Sequence, residues 1–200
     1  MLESWNPVEQ PKKTELKERL KNAKGQLYEL QMKIKEYNLP VIVLFEGWGA
    51  SGKGSTIGKL IKNIDPRFFK VATMSEASKE EERRPFLYRY FRQIPEAGKF
   101  TFLDSGWMEQ TCQECLNGTL KGKDYVKRME SIRRFERQLT DNGYLVLKFF
   151  MHISQKEQRK RMEWLLKDKD TSWRVSEFDS WQNAPVSYTH LRAHETGRNL

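Results

Sequence analysis

The chain has 200 residues, carries 36 lysines and arginines against 27 aspartates and glutamates for a formal net charge of +9, and contains two cysteines. That length suits one domain with a genuine core, the charge asks for an anionic partner, and two cysteines do not make a disulfide framework. No run approaches the ~20 apolar residues of a membrane span, and residues 1–13 lack the apolar core of a secretory signal, so a soluble cytoplasmic protein is expected.

Residues 1–13 are polar and proline-bearing and read as an arm. Leu16, Leu20, Ala23, Leu27, Leu30, Ile34 and Tyr37 fall at steps of four and three, one helical stripe over Thr14–Tyr37. The stripe is expected to pack on its own domain; a dimer seam is the alternative. Asn38 and Pro40 end it, so residues 1–38 form an arm and an amphipathic helix ahead of the main unit. Val41–Phe45 is then a strand apolar on both faces. It runs into Gly47-Trp-Gly-Ala-Ser-Gly-Lys53, the spacing of a phosphate-binding loop, and a helix with Ile57, Leu60, Ile61 and Ile64 on one side. Backbone N–H groups of such a loop converge on one concavity, which the following helix N-terminus makes more attractive to anions. The phosphate-binding candidates are Gly47, Gly49, Ser51, Gly52, Lys53, Gly54, Ser55 and Thr56, with the Lys53 charge aimed at the terminal phosphates.

Asp65-Pro66-Arg67 is a turn and Phe68–Thr73 a second strand. Ser78 and Glu81 have capping-box spacing and open a helix through EERRPFLYRYFRQIP, with Phe86, Leu87, Tyr90 and Phe91 as its buried side and Pro85 as a kink or late start. Arg83 and Arg84, with Arg89 and Arg92, line an anion channel or solvate a face. A short strand ending in Asp104 has the form of a carboxylate that holds Mg²⁺ through water beside a phosphate loop. Cys112 and Cys115 could join His190 and His194 in a zinc site, but the gap is too long for a finger and incidental helix cysteines are the better reading. Tyr125, Met129, Ile132, Phe135 and Leu139 mark another helix, closed by Asp141-Asn142-Gly143. Tyr144–Ile153 reads as a fully buried strand, with His152 a packed or surface residue. Ser154 and Glu157 form a second box, opening a basic helix whose Arg159, Lys160 and Arg161 lie where a lid would close on phosphates. A helical continuation follows to about Asn183. Residues 185–200 are set aside as a non-native tail, SYTHLRAHET resembling read-through of a library adaptor.

The fold class this predicts is α/β, a nucleotide-kinase-like parallel sheet flanked by helices, with a basic helical lid. The domain spans 39–184, and with four strands counted against the usual five its last strand is expected to be missing.

EGWGASGKGSTI, DPRFF, EERRPFLYRYFRQIPEAG, FLDSGWM and FERQLTDNGYLVLKFFMHISQKEQRKR together resemble the polyphosphate kinase 2 family. Trp48 and RPFLYRYF look closest to its two-domain polyphosphate:AMP phosphotransferases, first half. The resemblance implies Mg²⁺-dependent phosphoryl transfer between inorganic polyphosphate and a nucleotide, AMP or ADP. It also implies a second copy of the domain in the native chain and a possible homo-oligomer, with no membrane and no nucleic acid as partner. Lys53 and Asp104 match the family's loop lysine and metal-site aspartate. Gly49 stands where the family has aspartate, Ser105 where it has arginine, and Leu165 at a further arginine position. A degenerate catalytic copy is therefore expected, with a non-catalytic polyphosphate-binding or assembly half as the alternative and an ATP-dependent small-molecule kinase behind both.

Overall fold

In the computed structural model, residues 12–74, 77–175, 179, 182 and 183 are described. The Met1–Pro11 part of the arm, His190, His194 and the 185–200 tail lie outside them.

Five apolar residues followed by Glu46 and Gly47 make β1 (Val41–Gly47), and every one is buried. Its neighbours are β3 (Phe100–Asp104) on one edge and β4 (Leu145–Met151) on the other; β2 (Phe69–Thr73) lies outside β3, giving the order β2-β3-β1-β4. All three pairings are parallel, so helices must carry the crossovers and cover the faces. One face of β1, with Ile42 and Leu44, packs with Leu103 against Tyr90, Trp107, Met108, Ile132, Phe135 and Leu139. These come from α4 (Tyr88–Phe91), α5 (Trp107–Leu116) and α6 (Gly122–Asp141). The other face, with Val41, Val43 and Phe45, packs with Phe100 and Phe102 against Ile57 of α2 (Lys53–Ile61), Ile64, and Leu27 and Ile34 of α1 (Lys13–Glu36).

Only the C-terminal half of the α1 stripe is covered. Leu27, Gln31 and Ile34 meet the domain, whereas Leu16, Leu20, Leu30 and Tyr37 are exposed. Gln31 is buried because its Oε1 accepts the Asp65 N–H at 3.1 Å. The arginine-rich segment does not form one helix. Ser78 closes the expected capping box on the single turn α3 (Lys79–Glu82), Pro85 interrupts it, and α4 is a second single turn. Phe91 is consequently exposed, against the expectation, and Arg89 is buried, so it does not solvate a face.

The strand read as fully buried is an edge strand instead. Leu145, Leu147 and Phe149 of β4 share the face on which α1 and α2 pack, but those helices sit over β1 and β3, leaving all three exposed. After β4, Ser154 accepts the Glu157 N–H to start α7 (Gln155–Leu166), while the Glu157 carboxylate takes Arg161 at 2.7 Å, so the reciprocal arm of the second capping box is not made. The expected helical continuation is interrupted: α7 ends at Leu166, a 3₁₀ turn follows at Ser172–Arg174, and Asp179 and Gln182 are helical again.

Leu44 is fully buried at the centre of the sheet and Leu16 half exposed on α1. Leu44→Ala should therefore lower unfolding stability by ~2–5 kcal/mol, and Leu16→Ala should stay within ~0.5 kcal/mol of wild type in urea titrations.

Candidate active site

The parallel register places Phe45 opposite Asp104, so the turn after β1 and the carboxylate at the end of β3 leave the same edge of the sheet. Between β1 and α2 the backbone folds over itself: Ser51 N–H reaches Trp48 O, and Gly52 enters α2 with φ +100°, a conformation that favours glycine. Trp48 anchors this loop. Its indole is buried against Cys112 and Ile153, lies edge-on to Phe150, and donates from Nε1 to Nδ1 of His152 at 2.9 Å. That gives His152 a packing partner and makes Cys112 a core residue. Both cysteines are free, and no group of three or more His, Cys, Asp or Glu side chains arranged for a metal occurs among the described residues.

A groove of about 1620 Å³ opens over the loop, larger than the ~300–1,000 Å³ that small-molecule sites usually occupy. Of the predicted residues, Gly49, Ser51, Gly52, Lys53, Gly54, Ser55, Asp104, Arg84 and Arg161 line it, together with Arg89; Gly47, Thr56, Arg83, Arg159 and Lys160 do not. Arg161 alone of the basic run reaches the loop, with Nη1 donating to Ser51 O at 3.1 Å, whereas Arg159 is turned to Oδ1 of Asn183. The far wall carries Arg128, which the sequence reading passed over. Its guanidinium lies 3.7 Å from the centroid of Phe86 and 3.0 Å from Oε2 of Glu114.

The charges nearest the loop form a connected set. Lys53 Nζ donates to Gly47 O at 2.8 Å and lies 3.4 and 3.3 Å from the two oxygens of Glu109, whose Oε1 also accepts from Ser105 Oγ at 3.0 Å. Withdrawal from water pushes the Glu109 carboxyl above its ordinary value, with Lys53 opposing the shift; the Asp104 carboxyl is raised in the same way. Asp104 leans over the start of α2, close enough that a Cβ at Gly54 would stand 3.2 Å from its Oδ2. Ser51 Oγ is buried with no hydrogen-bond partner among the described residues, an arrangement expected where a ligand supplies the partner. Glu46, the last side chain before Gly47, caps α5 by accepting the Met108 N–H at 3.0 Å, a favourable place for a carboxylate.

The family model for polyphosphate kinase 2 matches residues 10–192. The chain belongs to the polyphosphate kinase 2 family. Among its relatives is a polyphosphate:AMP phosphotransferase of Pseudomonas aeruginosa, 34% identical over 161 residues, covering 80% of this chain and 32% of that protein. An ADP-polyphosphate phosphotransferase of Rhizobium meliloti is 29% identical and covers 75% of this chain and 53% of its own length. The chain thus spans about a third to a half of these relatives. In structure it matches a polyphosphate kinase 2 of Arthrobacter aurescens with a TM-score of 0.88 at 23% identity, over 98% of this chain and 71% of the other.

Where the resemblance expects aspartate, position 49 is glycine, and the space beside its Cα is occupied from the C-terminal part of the domain. A Cβ on Gly49 would run into the Asp179 carboxylate, 2.6 Å from its Cγ. One turn on, Gln182 Oε1 accepts the Gly49 N–H at 2.8 Å, and Gln158 Nε2 donates to Gly49 O at 3.2 Å. Gly106 is fixed by the same kind of contact, since a Cβ there would stand 2.9 Å from Cδ of Glu46. Leu165 lines the groove where the resemblance expects arginine. Glu109, Arg128, Asp179 and Gln182 carried no local motif; the isolated acidic residue after FLDSGWM was the one available signal.

Two outcomes follow. Gly49→Asp should destabilise the domain by ~1–3 kcal/mol through overpacking against Asp179, and Asp179→Gly in the same chain should recover most of it in thermal melts. Folded Glu109 holds its proton more tightly than its ordinary 4.5, so the native state binds more protons than the unfolded chain and stability falls as pH rises through that interval. Glu109→Gln removes this loss: its melting temperature relative to wild type should rise as the pH is raised above 4.5.

Proposed function

We propose that this domain grips a phosphate chain along the loop groove and serves phosphoryl transfer between inorganic polyphosphate and a nucleotide, AMP or ADP, in the cytoplasm. The observation that carries the reading is the convergence, in one groove of a polyphosphate kinase 2 fold, of the loop backbone, Lys53, Asp104 and Arg161. Loop N–H groups and the α2 N-terminus favour phosphate oxygens. The volume of the groove leaves room for several phosphates and a nucleotide, and Arg84, Arg89 and Arg128 add positive charge to its lining. Nucleic acid would use the net charge but not the loop.

Asp104 fits a divalent cation. It offers a hard carboxylate oxygen beside the loop, and Mg²⁺ is commonly held by one or two carboxylates together with substrate phosphates and waters, with no protein cage. When bound, the ion would offset the charge that builds on the transferring phosphoryl. The chain's own residues would do the rest: loop amides orient the phosphates, Arg161 braces the loop through Ser51 O, and Asp104 would be the residue that holds the ion. A second copy of the domain is proposed to complete the native protein, with a homo-oligomer as its assembly.

A second reading, a polyphosphate-binding half without catalysis, is favoured by Ser105. A hydroxyl hydrogen-bonded to Glu109 stands where the family places an arginine, and such an arginine is worth ~10³ or more in rate when it reaches the transferring phosphoryl. Calorimetry with long-chain polyphosphate and Mg²⁺, paired with an assay of polyphosphate-dependent AMP and ADP phosphorylation, separates the two. Binding with slow turnover that rises in Ser105→Arg supports the transferase. Binding without turnover in either protein leaves the binding half, and no binding of polyphosphate or nucleotide overturns both readings.

A further inference from the structure

The ammonium that the loop presents is already engaged by the protein. Lys53 Nζ lies 2.8 Å from Gly47 O, 3.5 Å from Trp48 O, and 3.3 and 3.4 Å from the two oxygens of Glu109. A lysine has three N–H donors and no acceptor, and these three partners can take all of them. The pair is withdrawn from solvent, with 11% of the Lys53 and 20% of the Glu109 side chain exposed. Glu109 is held in turn. It sits in the first turn of α5, and Ser105, at the N-terminal approach to that helix with φ +69°, donates to Oε1 at 3.0 Å.

We propose that Glu109 sets the affinity of the phosphate loop by holding Lys53 back, an internal carboxylate that competes with phosphate oxygens for one ammonium. The inference rests on the reading of this groove as a phosphate site and adds a determinant of how tightly it binds. A phosphate at the loop must draw Lys53 away from a carboxylate that Ser105 keeps in place, or bind without the lysine. An amide at 109 keeps the shape and an acceptor for Ser105, removes the charge, and lets Lys53 turn to the ligand.

The test is calorimetry with tripolyphosphate and with orthophosphate, Mg²⁺ present, on wild type, Glu109→Gln, Lys53→Ala and the double variant. Glu109→Gln should bind tripolyphosphate at least ~10-fold more tightly, the scale of one charge-assisted hydrogen bond, and orthophosphate by a similar factor. Lys53→Ala should bind both phosphates more weakly than wild type, because it leaves the Glu109 charge at the loop without its counterion. The gain should vanish in Lys53→Ala/Glu109→Gln. A Glu109→Gln protein that binds no tighter than wild type overturns the proposal. So does a gain that survives loss of Lys53, which would make it general charge removal. If Glu109→Gln does not fold, Ser105→Ala takes its place: a Lys53-dependent gain in affinity is expected, and no gain overturns the idea. Absence of binding in wild type and every variant would instead defeat the phosphate-site reading, whereas wild-type binding left unchanged by Glu109→Gln defeats this inference alone.

Discussion

Between Val41 and Gly47 the backbone is hydrogen-bonded to β3 along one edge and to β4 along the other, with apolar layers above and below. A strand enclosed on four sides cannot shift by one residue without moving its whole apolar set to the wrong face and breaking two ladders. That constraint fixes the rest. It determines where the chain must turn after Gly47, which groups meet the turn from β3, and which way α2 points. The loop's geometry is thus inherited from the sheet and needs little stability of its own, consistent with Ala50 and Ser105 holding positive φ beside it.

The groove built on that edge is electrostatically mixed. Arginines from α4, α6 and α7 face it, but at its centre the lysine is answered by a glutamate and the β3 aspartate stands over a helix N-terminus. Each carboxylate has lost water, and each has only part of that loss returned by Lys53. A site balanced in this way is suited to a ligand that brings both negative charge and a counterion. It is less suited to a bare anion, and in this respect the domain differs from a simple basic cleft.

Much of this was legible in the sequence because the signals were local. The apolar run before Gly47, the loop spacing, the capping box at Ser78 and the period of Ile132, Phe135 and Leu139 each lie within a few residues of what they specify. The failures share the opposite property. Nothing in LVLKFFM says whether helices will cover it, since burial on two faces and placement at an edge read alike in one dimension. The single helix drawn through the arginines ignored how firmly Pro85 divides it. In the basic run of α7, charge alone could not tell that Arg161 faces the loop while Arg159 is tied to Asn183. Glu109 and Asp179 acquire meaning only through partners far off in the chain.

The contact between Gly49 and Asp179 bears on how such loops can be treated as interchangeable parts. In this chain the loop is not a cassette. Its missing side chain and the carboxylate seated over it are two pieces of one shape, contributed from opposite ends of the domain. Their identities should change together between relatives, with glycine at the first position where an acidic side chain is docked from the second. Transplanting a relative's loop without the matching C-terminal segment would import a steric conflict, however faithful the grafted motif.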